Sequence, residues 1–153
     1  MRGGYIHNRV LVDPIAQKAL CIPGARVDQE VAIRVGNQIL YGDLLIQFGC
    51  QRILVEAEIT AKRIENDLVK AAAMEPCELW VVVPNPRVKK SVERKLSRQL
   101  IPLQRVKLFV LLLPQALQRL TEFSELISGS NDGRKKGKTI QLKDLDVAAS
   151  TDI

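Results

Sequence analysis

Two glycine-led turns, Gly36-Asn37 and Gly49-Cys50, constrain the fold of this chain more tightly than any other feature. Each lies between runs of strand-like alternation. A two-residue loop with Gly first is the connection that twisted antiparallel strands favour, because Gly adopts positive φ there at no steric cost. The turns predict a meander over roughly residues 27–60, with strands ending at Val35, running Gln38 to Phe48, and running Gln51 to Thr60. Pairing Val35 with Gln38 sets Glu30 opposite Asp43. Pairing Phe48 with Gln51 sets Asp43 opposite Glu56, and Glu58 follows on the same face. Like charges placed opposite one another destabilise a sheet. Such a row is tolerated where a cation or a shifted proton equilibrium has a use.

The alternation fits this register. Val31, Ile33, Val35, Leu40, Leu44, Ile46, Phe48, Ile53, Val55, Ala57 and Ile59 are expected together on the opposite face, which something must cover. A one-residue slip would turn that whole set to solvent.

Before the meander, an arm over residues 1–12 leads into a short helix near Pro14 to Leu20. After it, Thr60 is placed to N-cap a helix from Ala61 to Met74. Its polar face carries Lys62, Asn66 and Lys70. The apolar run Leu79 to Val83 predicts a strand buried on both faces. Pro86 opens a basic helix to about Gln99. Val106 to Leu113 is a further strand, and Gln115 to Ile127 a final amphipathic helix. This order predicts an α/β fold: a mixed β-sheet, an antiparallel meander plus two further strands, flanked by helices. A single domain is expected over 1–128. Residues 129–153, dominated by Gly, Ser, Asn, Asp and Lys, read as a flexible C-terminal tail.

With 153 residues, 46% of them hydrophobic, the chain is long enough for a real core. The longest apolar run, Leu108 to Leu113, is far too short to span a bilayer, so no membrane association is expected. The N-terminal residues lack an apolar signal segment, and the odd set Cys21, Cys50 and Cys77 lacks metal spacing. Both point to reduced thiols in a cytoplasmic protein. Aromatic residues make up only 4%, which argues against base stacking as the main binding mode. The net charge of +6 is unevenly spread. Arg87, Lys89, Lys90, Arg94, Lys95 and Arg98 cluster with Arg105 and Lys107 against a lone Glu93, and Arg134, Lys135, Lys136 and Lys138 follow in the tail. Basic charge set apart from an acidic row suits a polyanion held beside a metal.

Carboxylates with neighbouring backbone oxygens form a hard-oxygen site suited to Mg²⁺, with Mn²⁺ able to substitute. Gly42-Asp43-Leu44-Leu45-Ile46 followed by Ile53-Leu54-Val55-Glu56-Ala57-Glu58-Ile59 resembles the core of the restriction-endonuclease-like PD-(D/E)xK nuclease superfamily. The resemblance spans about residues 27–114. It implies that Asp43 and Glu56, with the Ala57 carbonyl, hold the metal, and that Glu30 matches the extra upstream acid of some members. The chain departs from the pattern at Glu58, which stands where the family has Lys. Some members keep a Glu there. In others the Lys has moved to the next helix, which nominates Lys62 or, as second choice, Lys70.

The resulting expectation is a Mg²⁺-dependent endodeoxyribonuclease. Asp43, Glu56, Glu58 and Lys62 form its catalytic set, and the residues from Arg87 to Arg98 grip DNA. RNA is an open alternative substrate. A homodimer, or a partner supplying specificity, fits a chain without a separate recognition domain. The rival readings are an inactive nucleic-acid-binding or protein-interaction module on the same fold, and an α/β interaction module whose acids are surface charges.

Overall fold

The structure is a computed structural model that describes the backbone of residues 3–133 apart from residue 100, and side chains within 9–129. The chain forms α1 (Gly3–Leu20), β1 (Arg26–Val35), β2 (Gln38–Phe48), β3 (Gln51–Ala57), α2 (Ile64–Met74), β4 (Glu78–Val83), α3 (Pro86–Leu96), β5 (Lys107–Leu112) and α4 (Leu113–Gly133). The strands lie in sequence order in one five-stranded sheet. β1, β2 and β3 pair antiparallel, and β3, β4 and β5 pair parallel. The mixed α/β sheet expected from the sequence is therefore present.

Both hairpins close in the expected register, with Val35 paired to Gln38 and Phe48 to Gln51. Gly36 and Gly49 sit at φ 59° and 57°, the conformation for which the turns need glycine. β4 is buried along its whole length, as a strand with parallel neighbours on both sides should be. Leu54, Leu79, Val81 and Val83 form a core with Ile64, Leu68 and Ala71 of α2 and Val92 of α3. The alternate residues Val55, Trp80 and Val82 point to the other face. α1 lies along β1, β2 and β3 and buries Leu11, Val12, Ile15, Ala16 and Ala19.

α1 and α2 do not start where expected. α1 starts at Gly3, so the expected arm is largely helical, and Pro14 is in the helix interior. Pro14 leaves the Val10 carbonyl without its helical donor, and Val10 is 64% exposed, where water can serve instead. α2 starts at Ile64 because Thr60 does not cap it: Thr60 Oγ1 accepts from the Lys62 N–H and closes a tight local turn. α3 begins where Pro86 predicts, with the Asn85 side chain accepting from the Val88 N–H.

The apolar face is not continuous as expected. Ile33 packs with Leu54 and α2, and Val31 and Val35 lie against the same core, whereas strict alternation assigns them to the face of Leu44, Ile46 and Val55. A Cβ at Gly42 would lie 2.8 Å from Leu54 Cδ1 and 3.2 Å from Ile33 Cδ1, so position 42 also faces α2. The faces exchange between Gly42 and Leu44. Glu30, at φ 51°, and Asp43 are opposite by count, but their ladder pair is missing between Val31–Gly42 and Gln29–Leu44. The twist is thus shared by both strands and leaves the register unchanged.

The described chain divides into two units, one ending at Leu117 and the other beginning at Gln118. In the second, α4 continues to Gly133, beyond the expected end of the folded part at 128, and the Arg119 guanidinium stacks 5.3 Å over the Phe123 ring. The remainder of the expected tail, including Arg134, Lys135, Lys136 and Lys138, lies outside the described residues. Cys21, Cys50 and Cys77 are free thiols. Among the described residues no helix is long and apolar enough to cross a membrane.

Candidate active site at the split between β2 and β3

The antiparallel ladder between β2 and β3 ends at Leu44–Val55. β3 continues alongside β4, where Glu56 is opposite Val81 and the Glu58 N–H donates to the Val82 carbonyl at 2.9 Å. The next rung of the β2–β3 ladder is replaced by side chains. The Asp43 N–H donates to Glu56 Oε1 at 2.8 Å, and the Ala57 N–H donates to Asp43 Oδ2 at 2.8 Å. Two backbone donors that the face exchange frees are met by carboxylates, each from the opposite strand. Charged acceptors make these strong bonds, so the split is built in.

α2 supplies the rest of the site. Asp67 and Lys70 stand three residues apart and so share a helix face. Lys70 Nζ lies 2.8 Å from Glu56 Oε2 and 3.7 Å from Asp67 Oδ1. The Glu56 and Asp67 side chains are each 1% exposed and that of Lys70 14%. Both oxygens of Asp67 are buried without a hydrogen-bond donor. Protonated, Asp67 donates to Glu58 instead.

Burial dominates the electrostatics. It pushes Glu56 up to about 7, against the pull of Lys70 and with a further push from Asp43. Asp43 is raised by burial, although the Ala57 N–H, Lys70 and Arg63 oppose the shift. Glu58 is raised by burial, opposed by the Asp67 hydrogen bond. Asp67 is raised well above the ordinary range by burial and then by the charges of Glu56 and Glu58. Burial pulls Lys70 down, but the charges of Glu56, Asp67 and Asp43 outweigh it, and the ammonium ends above its ordinary value. Lys70 is therefore a permanent cation here and cannot serve as a base.

The Asp43 and Glu56 side chains thus meet across the split with Lys70 against Glu56, and Glu58 feels Asp43 through its charge. Lys62 does not join them. It is exposed in the turn before α2, so it is not on a helical stripe with Lys70, and its carbonyl accepts from Lys95 Nζ at 3.3 Å. Glu30 is exposed at the margin, felt by Asp43 through its charge alone. Two residues were missed. Asp67 has its signal in the i, i+3 spacing to Lys70. Arg63, exposed at the start of α2, acts on both Asp43 and Glu58 by its charge, and no sequence pattern marks it.

Among the described residues no group of three or more His, Cys, Asp or Glu side chains is gathered as a ready metal cage. Both oxygens of Glu56 are already engaged, one by the Asp43 N–H and the other by Lys70. The donor set nonetheless suits a hard divalent ion. Mg²⁺ characteristically takes one or two carboxylates and fills its remaining positions with water and phosphate oxygens. Here Asp43, Glu58 and Asp67 offer carboxylate oxygens, and those of Asp67 lack any donor.

Hydrogen bonds fix the course of α3. Lys89 Nζ donates to Gln115 Oε1 near the start of α4. Lys95 Nζ donates to the Ala61 and Lys62 carbonyls and so ties down the turn leading from Glu58 into α2. Arg87, Lys90 and Arg94 remain exposed at helical spacing on the outer face, with Arg98 just beyond the helix end. Of the six basic residues expected to grip a polyanion, four thus form an exposed stripe and two brace the fold.

No family model and no curated protein matches the chain. A solved structure described as "Protein of Unknown Function AF1548" is similar over 63% of this chain and 57% of its own, with 10% identity and a TM-score of 0.37.

Proposed function

We propose that this chain is a metal-dependent nuclease hydrolysing phosphodiester bonds in DNA, with a core of the restriction-endonuclease-like PD-(D/E)xK type. The reading is carried by one observation: Asp43 and Glu56 exchange hydrogen bonds across the strand split while Lys70 closes on Glu56 at 2.8 Å. Two acids and a lysine on this sequence of elements are the set the resemblance calls for, with Lys70 in place of Lys62.

Mg²⁺, or Mn²⁺ in its stead, would be held at Asp43 and the neighbouring Glu58 and Ala57 carbonyl. Bound there, a divalent ion lowers the pKa of a coordinated water and offsets charge gathering on the phosphate. The chain's own groups do the rest. Glu58, 9% exposed against 1% for Glu56, is the more accessible acid: one of its oxygens would hold the ion while the other takes the proton of the attacking water. Lys70 stays protonated, balances Glu56 and offers positive charge to the phosphate oxygens. Arg63 lies at the mouth of the site. Arg87, Lys90, Arg94 and Arg98 hold the backbone of the polyanion without reading bases.

The test is to incubate the purified chain with plasmid and branched DNA in Mg²⁺ and in Mn²⁺, beside Asp43→Asn. Metal-dependent nicking lost in the variant is expected. Intact DNA with either metal removes the enzyme reading, and cleavage of RNA alone changes the substrate. The engagement of both Glu56 oxygens favours, as the second reading, a nucleic-acid-binding or protein-interaction module without catalysis.

A further inference from the structure

The acid set contains one member that the nuclease pattern does not require. Asp67 is 1% exposed, stands in the first turn of α2, and has both carboxyl oxygens buried without a donor. An uncompensated buried carboxylate is costly, and its neighbours deepen the cost. Fully ionised, Asp43, Glu56, Glu58 and Asp67 are opposed, among the described residues, by Lys70 and Arg63, which leaves two negative charges in a largely dry site before the exposed Glu30 is counted. Two protons or one divalent cation would neutralise it.

The members are not equivalent as ligands. Glu56 has given one oxygen to the Asp43 N–H and the other to Lys70 Nζ. Freeing it for a metal would strand both a backbone donor and a buried ammonium. Asp67 gives up only the proton it shares with Glu58 on turning to a cation, since no N–H donor holds its oxygens and the Lys70 contact at 3.7 Å is longer than a hydrogen bond. Glu58 is its neighbour and reaches the surface.

We infer that Asp67 and Glu58 form the carboxylate pair that holds a divalent cation beside Asp43, and that Glu56 is a structural acid locked to Lys70. This deepens the reading above, because it concerns the same site, but it predicts cation binding in the absence of DNA. The remaining coordination positions fall to water and, with substrate, to phosphate oxygens.

The experiment is a calorimetric titration of the full-length chain with Mn²⁺, without nucleic acid, paired with thermal melts in Mg²⁺. Glu58→Gln and Asp67→Asn should each weaken Mn²⁺ binding about tenfold or more, the usual range for lost ligand-shell groups. Glu56→Gln should change it far less. Asp67→Asn should also melt higher than wild type without metal, since burial and the charges of Glu56 and Glu58 disfavour the carboxylate it removes, and should gain nothing from Mg²⁺ that stabilises wild type. Folding failure cannot mimic that crossover. If Asp67→Asn binds Mn²⁺ as wild type does, Asp67 and Glu58 merely share a proton and the inference falls. If Glu56→Gln alone abolishes binding, the ligand set implied by the resemblance stands in its place. Mn²⁺ binding that depends on Asp67, in a chain that cuts no DNA, sinks the nuclease reading and leaves this one intact. Cleavage that survives Asp67→Asn does the reverse.

Discussion

Asp43 and Glu56 each satisfy a backbone N–H on the other's side of the β2–β3 split, at 2.8 Å in both directions. The pair therefore does two jobs, ending the ladder and presenting carboxylates. These can be separated by substitution. Asp43→Asn keeps a side-chain oxygen for the Ala57 N–H, so it should fold with stability within about 1 kcal/mol of wild type. Glu56→Ala strands both the Asp43 N–H and the Lys70 ammonium, and should cost about 3–5 kcal/mol. Urea unfolding decides the matter, and equal losses for the two variants would mean that the split is held by something else.

The raised acid at Glu56 gives stability a sign with pH. Its carboxyl is pushed from 4.5 to about 7 in the folded protein, so between these values the native state holds a proton that the unfolded chain has released. Stability must then fall as pH rises through that window, by on the order of 3 kcal/mol from this group. Asp43, Glu58 and Asp67 are shifted in the same direction and steepen the fall. Thermal melts between pH 4.5 and 7.5 should show it, with the slope flatter in Glu56→Gln. A rise across that range would contradict the burial argument.

Much of this was legible because turn chemistry is local. Gly36 and Gly49 fixed two registers, and through them the approach of Asp43 to Glu56. The exchange of faces was not legible. It depends on a left-handed Glu30, a conformation no propensity assigns to glutamate, and on Gly42 passing close to Leu54. The lysine was misplaced for a similar reason. Thr60 was a credible cap by type, but its hydroxyl serves the Lys62 N–H, so the helix starts later and Lys62 falls outside it. Packing across α2 also decides whether an acid such as Asp67 is buried, and a sequence spacing of three residues carries no sign of burial.

Glu30 itself offers a test of the face exchange. A glutamate at φ 51° carries backbone strain of about 1 kcal/mol that glycine does not. Glu30→Gly should therefore leave thermal stability unchanged or raise it, although glycine within an ordinary strand is destabilising. A drop of several degrees in melting temperature would show that the strand is regular at that point.

The basic helix separates into gripping and bracing residues, and salt dependence tells them apart. Arg87, Lys90 and Arg94 are exposed on one face of α3, whereas Lys95 is spent on the Ala61 and Lys62 carbonyls. Removing a residue that contacts phosphate should weaken DNA binding regardless of sequence and lower the slope of log K against log salt by about 1. Lys90→Ala and Arg94→Ala should behave in this way without loss of stability. Lys95→Ala should keep the slope but loosen the turn that carries Lys62 and Arg63 into α2, costing about 1–3 kcal/mol, mostly for the half-buried Ala61 carbonyl it abandons. Fluorescence anisotropy with labelled duplex from low to moderate salt, alongside urea melts, measures both effects. An unchanged slope in Lys90→Ala and Arg94→Ala, with a lowered one in Lys95→Ala, would place the polyanion on the inner face of α3 and away from the exposed stripe.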